Sequence, residues 1–246
     1  MSGDLKKSTF VLSLLAIGLI SHYGEAQITA AKRLLMVRPS QSAAPAALVS
    51  SSSGAASAPS SAAVFTITST GSSHLLIVGL LYTSTTQCAT SITDNAASGG
   101  NSYAEVTTAA TDSTAGSADI WYATTSKSGA TTLTINSTCA DLPIVYFLEF
   151  SNLTALDASN VTNNHTASTT VSAPSVTTTT THSVVFSLAS VQNTITGLHT
   201  GNTFTALPIL VGDDAGYLIS TSISSYAGVW NQNSSGTYCA KTAAFK

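Results

Sequence analysis

The residues able to do chemistry are few. Three cysteines, Cys88, Cys139 and Cys239, are the most informative of them. An odd number in an exported chain predicts one bridge and one leftover thiol. Cys88 follows the apolar run HLLIVGLLY and Cys139 follows TTLTINS, so each stands where a loop leaves a strand. We expect these two to pair across one end of a sheet structure, with Cys239 free inside the last strand. No CxxC or Cys–His spacing supports a zinc site, and no metal, cofactor or catalytic residue is assigned.

Histidines and carboxylates add less. His74 and His182 each stand just before an apolar strand, and His199 lies in the turn GLHTGN. His199 with Asp213 or Asp214 and a nearby serine makes a hydrolase triad on paper. No GxSxG elbow accompanies it, and spacing alone defines no triad. Asp213-Asp214 in GDDAG has two readings, a calcium-binding loop or a solvated turn built from good turn formers. Glu149 sits inside the apolar run LPIVYFLEF, where it is either buried with a partner or on a solvated strand end. The chain is read as non-enzymatic.

Aromatic residues are the better basis for binding. Trp121, Tyr122, Tyr103, Tyr226 and Trp230 have faces on which sugars stack, with Asn and Thr nearby as hydrogen-bonding groups. Trp121 belongs to an alternating strand and is assigned to the core. Trp230 is flanked by Gly228, Asn231 and Asn233, and is expected to be the exposed ligand contact. Sequons at Asn136, Asn152, Asn160, Asn164 and Asn233 are numerous in a chain this rich in Asn, Ser and Thr.

The elements that position these residues read as follows. Lys6 and Lys7, the apolar run Phe10–Ile20, and small residues at Gly24 and Ala26 form a signal-peptide pattern over 1–26. Residues 27–62 read as a leader followed by a Ser/Ala/Pro-rich flexible linker over 39–62. From Ala63 to Lys246 short Val-, Ile-, Thr- and aromatic-rich runs alternate with Gly, Asn, Asp and Ser turns, with no 3.6-residue period. That predicts an all-β domain over 63–246, an antiparallel two-sheet sandwich with jelly-roll topology. SSHLLIVGLLY (72–82) and TTHSVVFSLAS (180–190) echo each other, as a weak internal repeat or as β composition resembling itself.

Composition excludes several classes. Charged residues make up 8% of the 246-residue chain and hydrophobic ones 43%. Between Arg38 and Lys241 the only Lys or Arg is Lys127, so nothing there neutralises phosphates and nucleic acid is excluded as a partner. No run after the signal reaches the roughly 18 apolar residues of a membrane span.

The order of six motifs resembles a widespread class of bacterial secreted β-sandwich domains of uncharacterised function. Its members show LLVVGV, VTDNAGNTY, IWY, TVTV, AVSFSGV…PLDAS and AAFK. This chain has LLIVGL (75–80), SITDNAASGGNSY (91–103), DIWYA (119–123), TTLTI (131–135), FLEFSNLTALDAS (147–159) and TAAFK (242–246). The extra Ala-Ser-Gly at 97–99 and the three cysteines depart from the class. The resemblance implies a lectin-like jelly-roll sandwich on secreted or surface proteins and transfers no catalytic residues. The expectation is therefore a secreted or cell-surface module with a structural or surface-interaction role. A glycan, a cell-surface partner or a second copy would be its ligand. A carbohydrate-binding domain is the alternative, and a secreted hydrolase the third reading.

Overall fold

The computed structural model describes residues 44–246. The expected signal peptide, 1–26, and the leader up to residue 43 lie outside the described residues. Among the described residues there is no helix. The first half supplies β1 (Ala47–Ala55), β2 (Ser60–Thr66), β3 (Leu75–Tyr82), β4 (Ala89–Asp94) and β5 (Ala104–Glu105). It continues through β6 (Ala110–Asp112), β7 (Gly116–Ala123), β8 (Thr132–Asp141) and β9 (Ile144–Ser151). The second half supplies β10 (Leu156–Ser172), β11 (Val176–Thr177), β12 (Val184–Val191) and β13 (Ile195–Leu198). It ends with β14 (Thr205–Ala206), β15 (Asp214–Ile219), β16 (Ser225–Tyr226) and β17 (Val229–Phe245).

The antiparallel β-sandwich expected from the strand pattern is what these residues form. A central sheet has the order β1-β9-β3-β7-β5, and a smaller sheet, β2-β8-β4, packs on one of its faces. Successive strands β1 to β4 alternate between these two sheets, the wrapping of a jelly roll. The opposite face of the central sheet packs on a third sheet, β10-β17-β12-β15-β14. This double coverage explains why β3 is an uninterrupted apolar run and not an alternating one. Leu75, Ile77 and Leu81 enter the core shared with the third sheet, while Leu76, Val78 and Leu80 enter the core under the small sheet. Gly79 sits where the sheets come closest, because a Cβ there would lie 2.7 Å from the Phe186 ring.

The echo between the halves is one of topology. Both large sheets follow one path, β1-β9-β3-β7-β5 in the first half and β10-β17-β12-β15-β14 in the second. Local devices recur at matching places. Ser73 and His182 both have φ 62° and donate their N–H groups to Ser126 O and Ser220 O. Thr70 and Thr178 are both buried and both tie the entry to β3 or β12 to a later loop, Thr70 through Ala130 and Thr178 through Ser224.

The linker expectation is corrected from residue 44 onward. Residues 47–55 form β1, paired with β9, and residues 60–62 belong to β2, paired with β8. Composition misleads here because an edge strand draws its stability from backbone pairing more than from apolar side chains. Without β1, the β9 edge of the central sheet would be left unpaired. The sandwich therefore takes in β1 and β2 and does not start at Ala63.

Candidate functional site

The turn motif TDNAASGGNSY is held together by Asp94. Its carboxylate accepts the N–H groups of Ala96 and Asn101, the Asn101 side-chain amide and the Tyr103 hydroxyl. Burial acts to raise the Asp94 pKa, but these hydrogen bonds outweigh it and hold the carboxyl below its ordinary value. Gly100 is required by the loop, having φ +77° and no room for a Cβ, which would lie 2.8 Å from Asp94 O. Tyr103 thus belongs to the scaffold.

Cys88 and Cys139 form the disulfide, with Cα atoms 5.2 Å apart, and Cys239 is free and buried. Burial, first of all, pushes the Cys239 thiol up, away from the reactive thiolate. Cys88 immediately precedes β4 and its carbonyl accepts the N–H of Thr138, so the bridge ties the start of β4 to its neighbour β8 within the small sheet.

Trp230 is a correction. It is 0% exposed and packs with Val171, Val191, Ile195 and Tyr238 on the outer face of the third sheet. Its polar neighbours in sequence point outward as β17 alternates, while the indole points in. It cannot be a surface ligand contact. Trp121 is also in the core, with its Nε1 donating to Asp119 Oδ2 at 2.6 Å.

The paper triad is not assembled. His199 Nδ1 lies 3.0 Å from Thr200 O. Asp213 accepts the N–H of Val191, and Asp214 accepts that of Ala215. Burial pushes both carboxyls up to about 7. The Trp230 indole N–H lies beside Asp214, yet neither that nitrogen nor Asp214 Oδ2 has a partner of good hydrogen-bond geometry. Among the described residues no group of three or more His, Cys, Asp or Glu side chains is placed to hold a metal ion.

Two concave features among the described residues bear on binding. The first, of about 350 Å³, is lined by His199, Asn202, Thr203, Phe204, Ser225 and Tyr226. Phe204 and Tyr226 give it an aromatic side, and the loop around Asn202 gives it polar groups. The second, of about 500 Å³, is lined from both halves, by Leu142 and Ile144 of the first and by Gln192, Asn193, Asp213 and Asn233 of the second.

Two polar clusters were only partly visible in the sequence. Glu149 is fully buried, and its carboxylate meets His74 Nδ1 at 2.7 Å, the N–H of Gly71 and the hydroxyl of Ser50. That settles the two readings of Glu149 in favour of a buried, partnered acid. Lys241 was missed altogether. It is 0% exposed and its Nζ lies 2.7 Å from Asp119 Oδ1. The signal was a lysine inside the apolar run YCAKTAAF in a chain with few cations. Compared with known protein families, curated proteins and solved structures, the chain matches none.

Proposed function

We propose that this chain is a non-catalytic, secreted or cell-surface β-sandwich module with a structural or surface-interaction role. The observation that carries the reading is the use made of its acids. All nine Asp and Glu residues from 44 to 246 accept hydrogen bonds from the fold itself: Asp94, Glu105, Asp112, Asp119, Asp141, Glu149, Asp157, Asp213 and Asp214. Carboxylates tied to loops and strand ends make turns rigid, and they are poor candidates for general acid–base work on a substrate. The disulfide and the three stacked sheets serve the same end. The test is a hydrolase substrate panel with a self-association assay on the purified chain. Turnover that survives purification would overturn the reading.

A carbohydrate-binding role is the second reading, favoured by the cleft whose lining combines Phe204 and Tyr226 with Asn202, Thr203 and Ser225. A pyranose face stacks on an aromatic ring while its hydroxyls take polar partners. A glycan panel with Tyr226→Ala as the control tests it. Loss of binding in the variant supports this role, and glycan binding unaffected by it moves the contact elsewhere.

A further inference from the structure

The pair Lys241–Asp119 is hard to explain as an ordinary ion pair. Both side chains are out of solvent, at 0% and 2% exposure. Burying two charges costs more than the attraction commonly returns, and this chain otherwise avoids charge. The fold does not need a cation there. The matching position on β9 is Tyr146, which reaches the matching carbonyl of the other half without any charge: Tyr146 donates to Pro208 O and Lys241 to Thr107 O.

The surroundings of Asp119 are arranged for chemistry at its carboxyl carbon. Ile120 N–H donates to Oδ1 at 2.8 Å and Trp121 Nε1 donates to Oδ2 at 2.6 Å. Glu105, on the neighbouring strand β5, is hydrogen-bonded to the same carboxyl group and is also anchored by Gln87. The Lys241 amine is aimed by Thr107 O at 2.6 Å. An amine, a carboxyl group and two donors on its oxygens are thus held together out of solvent, with a second, half-buried carboxyl at the edge of the cluster.

We infer that Lys241 and Asp119 condense to an intramolecular isopeptide bond between Nζ and Cγ, with Glu105 carrying the proton. Proton transfer within the pair leaves a neutral amine facing a neutral carboxylic acid. Burial favours that acid form, since it pushes the Asp119 carboxyl up against the opposing pull of Lys241. The amine lone pair attacks Cγ, and the Ile120 and Trp121 N–H groups stabilise the oxygens of the tetrahedral intermediate. Glu105 accepts a proton from nitrogen and returns it to the departing hydroxyl. The C–O bond breaks, one water leaves and a C–N amide bond remains, so no oxidant or co-reactant is consumed. Fixed geometry supplies the driving effect, because effective molarities of well-oriented intramolecular reactions reach about 10⁵–10⁸ M. The product joins positions 122 residues apart and removes both buried charges.

The test is intact-mass and peptide-mass measurement on the purified full chain under denaturing, reducing conditions, which open the Cys88–Cys139 disulfide. The expected wild-type chain is one water lighter than its sequence. Trypsin does not cut after Lys241, and a branched peptide carries Asp119 and Lys241 together. Lys241→Arg restores the full sequence mass. Asp119→Asn condenses with loss of ammonia instead, and arrives at the same final mass as the bonded wild type. Glu105→Gln accumulates the full-mass chain and bonds at least tenfold more slowly. A wild-type chain of full mass, cut normally after Lys241, overturns the proposal whatever the variants do. A Glu105→Gln chain that bonds at the wild-type rate overturns the role given to Glu105.

Discussion

Tyr146 and Lys241 occupy equivalent places in the two halves. Tyr146 on β9 is paired with Gly79, and Lys241 on β17 is paired with Leu188. Gly79 in turn faces Ile120 and Leu188 faces Ala215, and those two residues accept the N–H groups of Val106 and Leu207. The next residues along, Thr107 and Pro208, are the ones whose carbonyls Lys241 and Tyr146 reach from the opposite sheet. The two halves therefore clasp each other with one reciprocal contact, made once by a phenol and once by an amine.

Tyr146→Phe tests the phenol half of the clasp. The side chain is fully buried, and its hydroxyl meets Pro208 O and Asp213 O. Its removal leaves those carbonyls without that donor at little cost in packing. We expect a loss of about 1–2 kcal/mol in denaturant unfolding with an unchanged m-value. A loss below a few tenths would mean that the contact adds nothing.

Gly79→Val probes the closest approach of the sheets. The new Cβ would lie 2.7–2.8 Å from the Phe186 ring and 3.2 Å from Leu188. Gly79 has ordinary strand geometry, so the penalty is steric and not conformational. Overpacking of this kind costs about 1–3 kcal/mol. Gly79→Val with Phe186→Leu should recover part of it, and recovery is read from thermal unfolding of the double variant.

The class of fold was legible because β3, β9 and β12 are long apolar runs bounded by turn residues. The pairing of Cys88 with Cys139 was legible from their places beside apolar strand runs, although Cys139 lies inside β8 and Cys88 directly before its partner strand β4. Trp230 was misread for a physical reason. Flanking residues of a strand face the opposite side, so polar neighbours in sequence say nothing about the residue between them. The strand at 47–55 was hidden because composition records side chains, whereas an edge strand is held by its backbone. Lys241 and Asp119 are far apart in sequence, and only the stacking of sheets brings them together.

The corrected boundary predicts where proteases stop. A resistant core should retain β1 and β2 and should not be trimmed to Ala63. A chain starting at Ala63 lacks β1 and half of β2, which exposes the edge of β9 and one side of Phe65. That truncation should aggregate or unfold at lower temperature. A fully stable fragment starting at Ala63 would show that β1 is dispensable.

Reduction of the disulfide, or a Cys88→Ser and Cys139→Ser double change, should lower stability by up to about 4 kcal/mol. That is the chain-entropy value for cross-linking residues of this separation. The loss should appear first in the pairing of β4 with β8, since the bridge closes the end of that pair. Unfolding that is unaltered by reductant would place the stability elsewhere.

The pH profile combines two opposed groups of acids. Asp94, Asp112, Asp141 and Asp157 have burial acting to raise them, but hydrogen bonds outweigh it and leave all four below 3.8. Their contribution is present above about pH 4 and is lost as the pH falls through their folded values. Asp213 and Asp214 behave in the reverse way. Burial lifts both from 3.8 to about 7, so between those limits the folded chain holds protons that the unfolded chain has released. Their contribution is complete below the unfolded value and is lost as the pH rises to about 7. Stability should therefore peak near pH 4–5 and fall by a few kcal/mol towards pH 7, with solvent screening trimming the share of half-buried Asp213. Asp213→Asn with Asp214→Asn should flatten the slope between about pH 4 and 7 and leave the acid limb intact. Asparagine keeps an oxygen for the Val191 and Ala215 N–H groups but has no charge to lose. Calorimetry across the range decides it, and a wild-type stability that climbs from pH 4 to 7 would show that the two aspartates are ionised at little cost.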